Sequence, residues 1–317
     1  MRVLVTGGAG FIGSHLVDRL AWVEGSKNEI VVLDNLSRGK LNNLAQSLEF
    51  IQFVEGDIRD ENLVAKLTAG VGVLYHLAAQ SNVMAAEQDI GSTLSTNVWG
   101  TLNLLRAAHA ARVPRVVFTS SREVYGDASS LPVPETACFK PKNAYGASKA
   151  AAEVYCRLYQ AKGLDVSILR LANVYGPRDF GRVVPIFLKR AFANEPLMVY
   201  GGTQVLDLVW VEIVIQCLLR AGQGPAMDAP VNVGSGVGTT ILQLAERVLA
   251  VTESASSTQI LPPRSAEVCQ FVSDTRKMSR LVDVGADGDP LMHLKSLARD
   301  APLMPLPADS PLRTSFD

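Results

Sequence analysis

Along the first half of the chain, short runs of β-branched and aliphatic residues alternate with longer stretches in which apolar positions recur at helical spacing. Residues 3–6, 30–33, 73–77, 116–120 and 167–171 are nearly continuous apolar runs bounded by turn residues, a pattern that predicts strands buried on both faces. Residues 14–22, 97–111 and 144–161 carry their apolar side chains on one helical stripe and predict helices between those strands. Such alternation builds a parallel sheet covered on both faces. Because crossovers between parallel strands are right-handed, the expected class is α/β with a doubly wound sheet.

After Gly176-Pro177-Arg178 the alternation lapses, and Tyr200-Gly201-Gly202 and Gly234-Ser235-Gly236-Val237-Gly238 punctuate shorter elements. The chain is therefore expected to divide in two. A large α/β domain covers 1–176 and regains a segment near 204–233, and a smaller C-terminal substrate-binding lobe takes 177–203 and 234–317. Prolines at 290, 302, 305, 307 and 311 argue against a long closing helix and predict an irregular tail after about residue 285.

Composition narrows the partners. A length of 317 residues buries a sizeable core without covalent staples. The net charge of −1, with Lys and Arg scattered, excludes a broad nucleic-acid surface but leaves room for a small anionic ligand. No apolar run approaches the roughly 20 residues that cross a bilayer, so no membrane residence is expected. Cys138, Cys156, Cys217 and Cys269 form no CxxC pair and neighbour no His cluster, so reduced thiols and no metal site are expected. The opening Met1-Arg2-Val3-Leu4-Val5-Thr6 lacks a leader signature, and the expected compartment is the cytoplasm.

Gly7-Gly8-Ala9-Gly10-Phe11-Ile12-Gly13 follows a predicted strand and opens a predicted helix. In that context Gly7 permits a tight turn, Gly10 lets a pyrophosphate approach the backbone, and Gly13 allows helix to pack on strand, while the helix N-terminus offers N–H donors. A dinucleotide is the natural occupant. Asp34 closes the second strand about 20 residues on, where a carboxylate accepts from a ribose diol and repels a 2'-phosphate, favouring NAD over NADP. Asn35, Ser37 and Arg38 share that loop, and a guanidinium at Arg38 could pair with the extra phosphate. Asp57 and Ile58 are candidates to flank the adenine, although an acidic turn residue is usually only a cap.

Tyr145 and Lys149, four residues apart, share one face of a helix for which Asn143 is a plausible N-cap. An ammonium beside a phenol favours phenolate and makes a usable general base, though that spacing alone is usually a surface pair. Thr119, Ser120 and Ser121 end a strand of the same sheet, so their hydroxyls are expected in the crevice outside the strands' carboxyl ends, facing the glycine loop. A hydroxyl there can orient a substrate alcohol while the phenolate takes its proton.

The glycine loop, Leu77-Ala78-Ala79-Gln80, Asn97-Val98-Trp99-Gly100-Thr101, Ser120-Ser121, Tyr145 to Lys149 and Arg170-Leu171-Ala172-Asn173-Val174-Tyr175-Gly176-Pro177-Arg178 together resemble the extended short-chain dehydrogenase/reductase superfamily, and within it the NAD-dependent nucleotide-sugar epimerases and dehydratases. The resemblance runs to about residue 281 and implies a Rossmann fold and a set of residue roles. Ser121, Tyr145 and Lys149 would be the catalytic trio. Gly7, Gly10, Phe11, Ile12, Gly13, Asp34, Asn35, Ser37, Arg38, Asp57, Ile58, Leu77, Ala78, Ala79, Gln80, Asn97 and Thr119 would line the NAD site with Tyr145 and Lys149. Ser121, Asn173, Val184 and Arg264 would touch the nucleotide-diphosphate sugar.

Departures from that pattern shape the functional expectation. Relatives usually place an arginine where this chain has Leu206, which removes a diphosphate contact; Glu212-Ile213 stands where a second carboxylate is common, and the usual C-terminal amphipathic helix is missing. Glu123 follows Ser121 by two residues, as in enzymes that eliminate water, but Arg122 stands where 4,6-dehydratases carry an acid, and a guanidinium cannot supply a proton. Gly181-Arg182-Val183-Val184 is similar to the run in UDP-glucuronate decarboxylases. The leading expectation is C4 epimerisation through a 4-keto sugar, as in UDP-glucose 4-epimerases. The alternatives are dehydration or decarboxylation using Glu123, or a binding protein without turnover. Homodimerisation through helices 97–111 and 144–161 is expected, with Ala107, Ala108, Ala150, Ala151 and Ala152 allowing close approach.

Overall fold

The computed structural model describes residues 1–22, 28–281 and 288–300. The first half runs β1 (Arg2–Thr6), α1 (Phe11–Ala21), β2 (Glu29–Asp34), β3 (Ile51–Glu55), α2 (Glu61–Thr68), β4 (Val73–His76), α3 (Val83–Gln88) and α4 (Ile90–Leu94). A π-helical turn (Ser95–Trp99) then leads into α5 (Gly100–Ala110), followed by β5 (Arg115–Ser121), α6 (Ala144–Ala161), β6 (Val166–Leu171) and β7 (Asn173–Tyr175). The remainder is α7 (Val183–Phe192), β8 (Leu197–Tyr200), β9 (Val205–Trp210), α8 (Val211–Gln223), β10 (Val231–Val233), β11 (Gly238–Thr240), α9 (Ile241–Thr252), β12 (Thr258–Leu261), α10 (Met278–Leu281) and α11 (Leu294–Asp300).

Seven strands form the main sheet in the order β10-β6-β5-β4-β1-β2-β3. Every pairing in it is parallel. Successive residues of β1 face opposite layers: Val3 and Val5 enter one apolar cluster with α1 and α8, and Leu4 enters the other with α2 and α5. Burial on both faces is why these strands read as continuous apolar runs. Strand order reverses between β1 and β4, and a crevice opens there at the carboxyl ends.

The smaller lobe holds β9 between β7, parallel, and β11, antiparallel, and a separate parallel pair of β8 with β12. Its core joins Tyr175, Phe187, Leu208, Leu244 and Leu294. Two sequence boundaries shift accordingly. β7 and β9, expected in the large domain, belong to the lobe's sheet, whereas α8 packs on the main sheet and β10 joins its edge. The expected lack of a C-terminal amphipathic helix is also corrected. Between Pro290 and Pro302, α11 turns Leu294, Leu297 and Ala298 into the lobe core. A helix of that length fits between two prolines, which the proline count alone obscured. Residues 301–317 of the predicted tail lie outside the described residues.

A buried polar network fixes α6 against the sheet. Arg170 donates to both oxygens of Glu153, at 2.9 Å from Nε and 2.7 Å from Nη2, and Ser120 donates to Glu153 Oε1 at 2.5 Å. Nη1 of Arg170 donates to the Tyr125 hydroxyl at 2.7 Å, which in turn donates to Asn232 Oδ1 at 2.6 Å. An ion pair this deep persists because each charged atom has a partner. It joins β5, α6, β6 and β10, and so sets where α6 presents Tyr145 and Lys149.

Candidate functional site: a crevice between the glycine loop and the catalytic helix

Gly7 has φ +73°, and a Cβ there would stand 2.6 Å from the backbone nitrogen of Ala78. Both the turn and the close approach of the next loop require glycine. A Cβ at Gly13 would fall 2.1 Å from the Gly7 carbonyl, so the third glycine lets α1 press on the loop. At Gly10 a Cβ would meet only that carbonyl, at 3.2 Å, and the rest of its surroundings are open. Gly10 is the N-cap of α1 and supplies no side chain to it, leaving first-turn N–H groups for a ligand.

Asp34 is buried at the end of β2. Its Oδ2 accepts from Ala9 N–H and its Oδ1 from Leu36 N–H, each at 2.9 Å. Burial raises its pKa and those bonds oppose the rise. Each oxygen keeps a lone pair for a ribose hydroxyl. Asn35 donates to Asp57 Oδ2 at 2.9 Å and accepts from Ser37. Arg59 chelates Asp57 and holds its carboxyl down at about 2. Ile58 is a core side chain packed on Gly100. The uncapped helix, the open glycine and the saturated carboxylate loop fit a dinucleotide.

Across the crevice, the π-helical turn aims Asn97 at two elements. Its Oδ1 accepts from Gln80 N–H at 2.7 Å, and its Nδ2 donates to the Gln80 carbonyl and to Ser148 Oγ, each at 2.9 Å. An extra residue in the helical turn thereby couples the Leu77-Ala78-Ala79-Gln80 loop to α6. Oε1 of Gln80 is buried without a partner. Ser148, one residue before Lys149, donates to the Tyr145 carbonyl at 2.7 Å.

Lys149 is buried, and its Nζ donates to the Thr119 carbonyl at 2.8 Å and lies 4.8 Å from the centroid of Phe118. Burial lowers its pKa to about 8. The Ser121 hydroxyl is among the groups that favour the ionised form of Tyr145. Burial raises the phenol, Glu123 adds to that rise, and Arg182, Ser121 and Arg38 oppose it. Arg182 and Arg38 are positive charges that favour the phenolate. Beneath them His76 sits between Thr6 Oγ1 at 2.8 Å and Thr101 Oγ1 at 2.9 Å. Burial, helped by the Lys149 charge, depresses it to about 3. The ring is neutral.

Glu123 is buried and tied at both oxygens, Oε1 to Arg122 Nη2 at 2.8 Å and Oε2 to Asn143 Nδ2 at 2.7 Å. Asn143 also caps α6, its Oδ1 accepting from Gly146 N–H at 2.8 Å, as its position predicts. A carboxylate held this way orients its neighbours and is poorly placed to collect a proton.

The residues expected to meet the sugar nucleotide are spread along the lobe side. Asn173 keeps a buried Oδ1 without a partner. Arg264 stacks on Tyr200, 3.6 Å from the ring centroid, and pairs with Glu267 at 3.1 Å. Val184 is corrected: its side chain belongs to the lobe core, and only its backbone at the start of α7 is free to face a ligand. Leu206 also packs in that core.

Sequence reasoning gave Asp179 and Arg182 no role in the site. Asp179 is buried and pairs with Arg182 at 3.1 Å, and its Oδ2 has no partner. Arg38 donates to Ser81 Oγ at 3.0 Å instead of contacting Asp34, so it leaves the ribose end to the carboxylate. No spacing motif signals these contacts, because they join loops far apart in sequence.

Residues 3–234 match the model of the NAD dependent epimerase/dehydratase family. The chain is 38% identical over 279 residues to the UDP-glucose 4-epimerase of Mycolicibacterium smegmatis, covering 84% of this chain and 88% of that protein. The structure superposes with a TM-score of 0.88 and 33% identity on UDP-glucose 4-epimerase of Thermotoga maritima with UDP-glucose, covering 94% of this chain and 98% of that one. It also matches dTDP-glucose 4,6-dehydratase of Streptomyces venezuelae with NAD bound, with a TM-score of 0.89 and 33% identity, covering 94% and 96%.

Proposed function

The chain belongs to the NAD dependent epimerase/dehydratase family, and from that premise we propose that it inverts carbon 4 of a UDP-sugar through a 4-keto intermediate. The observation that supports this reading is the arrangement of Ser121 at the end of β5 and Tyr145 at the start of α6, with the Ser121 hydroxyl favouring the phenolate, beside a Glu123 carboxylate already occupied at both oxygens. Bound NAD supplies a reversible hydride acceptor at carbon 4. Ser121 orients the 4-hydroxyl, and Tyr145 takes its proton and later returns it to the same oxygen, after the keto sugar has turned to present the other face of carbon 4. Lys149, directed to the Thr119 carbonyl, holds the floor of the crevice and is placed for the nicotinamide ribose. Asn173, Arg264 and the α7 N-terminus grip the nucleotide diphosphate while the sugar turns.

Dehydration or decarboxylation would need Glu123 as a mobile base, and its two bonds weigh against that. The experiment is to incubate the purified protein with UDP-glucose, UDP-N-acetylglucosamine and UDP-glucuronate and follow the sugar signals by NMR and the product mass. Epimerisation inverts carbon 4 at constant mass. Loss of water or carbon dioxide would replace the reading, and no turnover with any of them would reject it.

The same proposal includes a homodimer. Ile90 and Leu94 on α4, Trp99 on the π turn, and Val154 and Leu158 on α6 are exposed apolar side chains on neighbouring helices. The alanines expected to serve that contact mostly pack inward: Ala108, Ala150 and Ala152 are buried within the subunit. Light scattering reads the assembly. The cytoplasm remains the proposed compartment; all four cysteines are free thiols, as suits a reducing setting. Among the described residues no helix is long and apolar enough to cross a membrane, and no cluster could hold a metal.

A further inference from the structure

One side chain joins three segments of the site. Asn143 is buried, and its amide is engaged with each of them. Its Oδ1 accepts from Gly146 N–H at 2.8 Å and caps α6, two residues before Tyr145. Its Nδ2 donates both hydrogens, to Glu123 Oε2 at 2.7 Å and to the Ala266 carbonyl at 3.0 Å.

Each bond leads to a group of the site. Glu123 lies in the single helical turn that follows β5, and its N–H donates to Ser121 Oγ at 3.2 Å. A Cβ at Gly146 would stand 2.4 Å from the Glu123 carbonyl, so the start of α6 presses directly on that turn. Ala266 belongs to the turn that carries Arg264, where Glu267 N–H donates to the Arg264 carbonyl at 3.3 Å and Arg264 Nη1 pairs with Glu267 Oε1 at 3.1 Å. A guanidinium has five donors, so that pair leaves others for phosphate oxygens.

The 264–267 turn is fixed to the lobe a few residues on, where Phe271 N–H donates to the Val205 carbonyl at 3.0 Å and Val205 N–H to the Cys269 carbonyl at 2.9 Å. A buried amide whose two hydrogens serve a carboxylate and a carbonyl cannot follow one partner without pulling on the other. Movement of the turn toward a diphosphate therefore acts on Glu123 and on the cap of α6 together. Serine caps a helix as well as asparagine does, so capping alone does not account for the amide.

We propose that Asn143 is a positioning residue: a nucleotide diphosphate held at Arg264 draws the 264–267 turn into place, and Asn143 passes that order to Ser121 and Tyr145, so that proton transfer awaits a held nucleotide. The proposal rests on the epimerase reading for the roles of Ser121, Tyr145 and Arg264. It adds a route by which the nucleotide half of the substrate prepares the site for the sugar half.

Hydrogen exchange over residues 144–148 of the NAD-loaded protein, with UDP as the probe, tests the link without turnover. UDP carries no sugar, so protection there cannot come from a sugar contact. Saturating UDP is expected to slow exchange in the wild type about 5-fold. Asn143→Ser keeps the cap but is too short to reach both Glu123 and Ala266, and Arg264→Gln removes the charge on the turn; at saturating UDP both are expected to lose the protection. The Ser variant is expected to keep UDP affinity within about threefold and KM within about twofold, to lose about 10-fold in kcat, and to unfold in urea as the wild type does. Protection that is missing from the wild type, or that persists in either variant, overturns the link, as does a Ser variant with wild-type kcat. A Ser variant that loses stability along with kcat also overturns it, because Asn143 would then be only structural. A wild type that turns over none of the UDP-sugars rejects the epimerase reading instead, and exchange read on UDP alone still decides the coupling.

Discussion

The ammonium of Lys149 donates to the carbonyl of Thr119 at 2.8 Å, joining the catalytic helix to the last residues of the strand that supplies Ser121. The bond places a buried positive charge beneath the crevice, at the end of the strand that carries Ser121. Replacing Tyr145 with Phe is expected to lower kcat by about 10²- to 10⁴-fold, the usual worth of a positioned general base. NAD retention should be unchanged, because the glycine loop is untouched. Steady-state kinetics beside a cofactor assay check both halves.

Glu123→Gln separates a structural carboxylate from a catalytic one. It leaves the buried Arg122 guanidinium without its counter-charge and is expected to lower stability by about 3 kcal/mol. Arg122→Met with Glu123→Leu removes both charges and should recover most of that loss. Urea unfolding of the single and double variants gives the comparison, and a double variant no better than the single would contradict the unpaired Arg122 charge as the cause of the loss.

His76 sets part of the acid limit. Its folded pKa, about 3, lies below the unfolded value of about 6.5. The unfolded chain therefore binds more protons between those values, so stability rises with pH through that window and is lost on acidification from about pH 6.5 downward. The slope expected from this one group approaches about 1.4 kcal/mol per pH unit. Unfolding midpoints of wild type and His76→Gln at pH 5 and 7, as roughly chosen bounds of that window, should converge as the pH falls.

Gly10→Ala and Gly13→Ala should fail differently. The first has only the Gly7 carbonyl at 3.2 Å in its way, so the fold is expected to survive while NAD binding weakens. The second drives a methyl to 2.1 Å from that same carbonyl and should destabilise by more than about 3 kcal/mol. Thermal melts and NAD titration of both variants report the contrast.

Asn97→Ala removes the only side chain described that bonds both the Gln80 loop and Ser148. Losing buried hydrogen bonds is expected to cost about 1–3 kcal/mol and to loosen the nicotinamide end more than the adenine end. Hydrogen exchange of the Gln80 amide, faster in the variant, reads that loosening directly.

Much of this was legible from sequence. The buried strands announce themselves as apolar runs, the glycines of the phosphate loop as a spacing between strand and helix, and Tyr145 with Lys149 as neighbours on one helical face. Strand β3 was not, because its burial pattern is partial at an edge, and neither was α11, hidden between prolines. Val184 and Ile58 were assigned to ligands when their side chains belong to the core, since an apolar residue in a motif gives no sign of which way it faces.

The amino-acid order by itself determined the parallel sheet, the place of the dinucleotide turn and the pairing of Tyr145 with Lys149 on one helical face, because each depends on residues within one turn or one strand of each other. Only the tertiary structure decided that Arg122 and Asn143 immobilise Glu123, that Lys149 answers to Thr119, and that Arg38 reaches Ser81 in the loop after β4. Those contacts join segments brought together by packing of the sheet, and electrostatic partnership depends on distance in space, which chain separation does not encode.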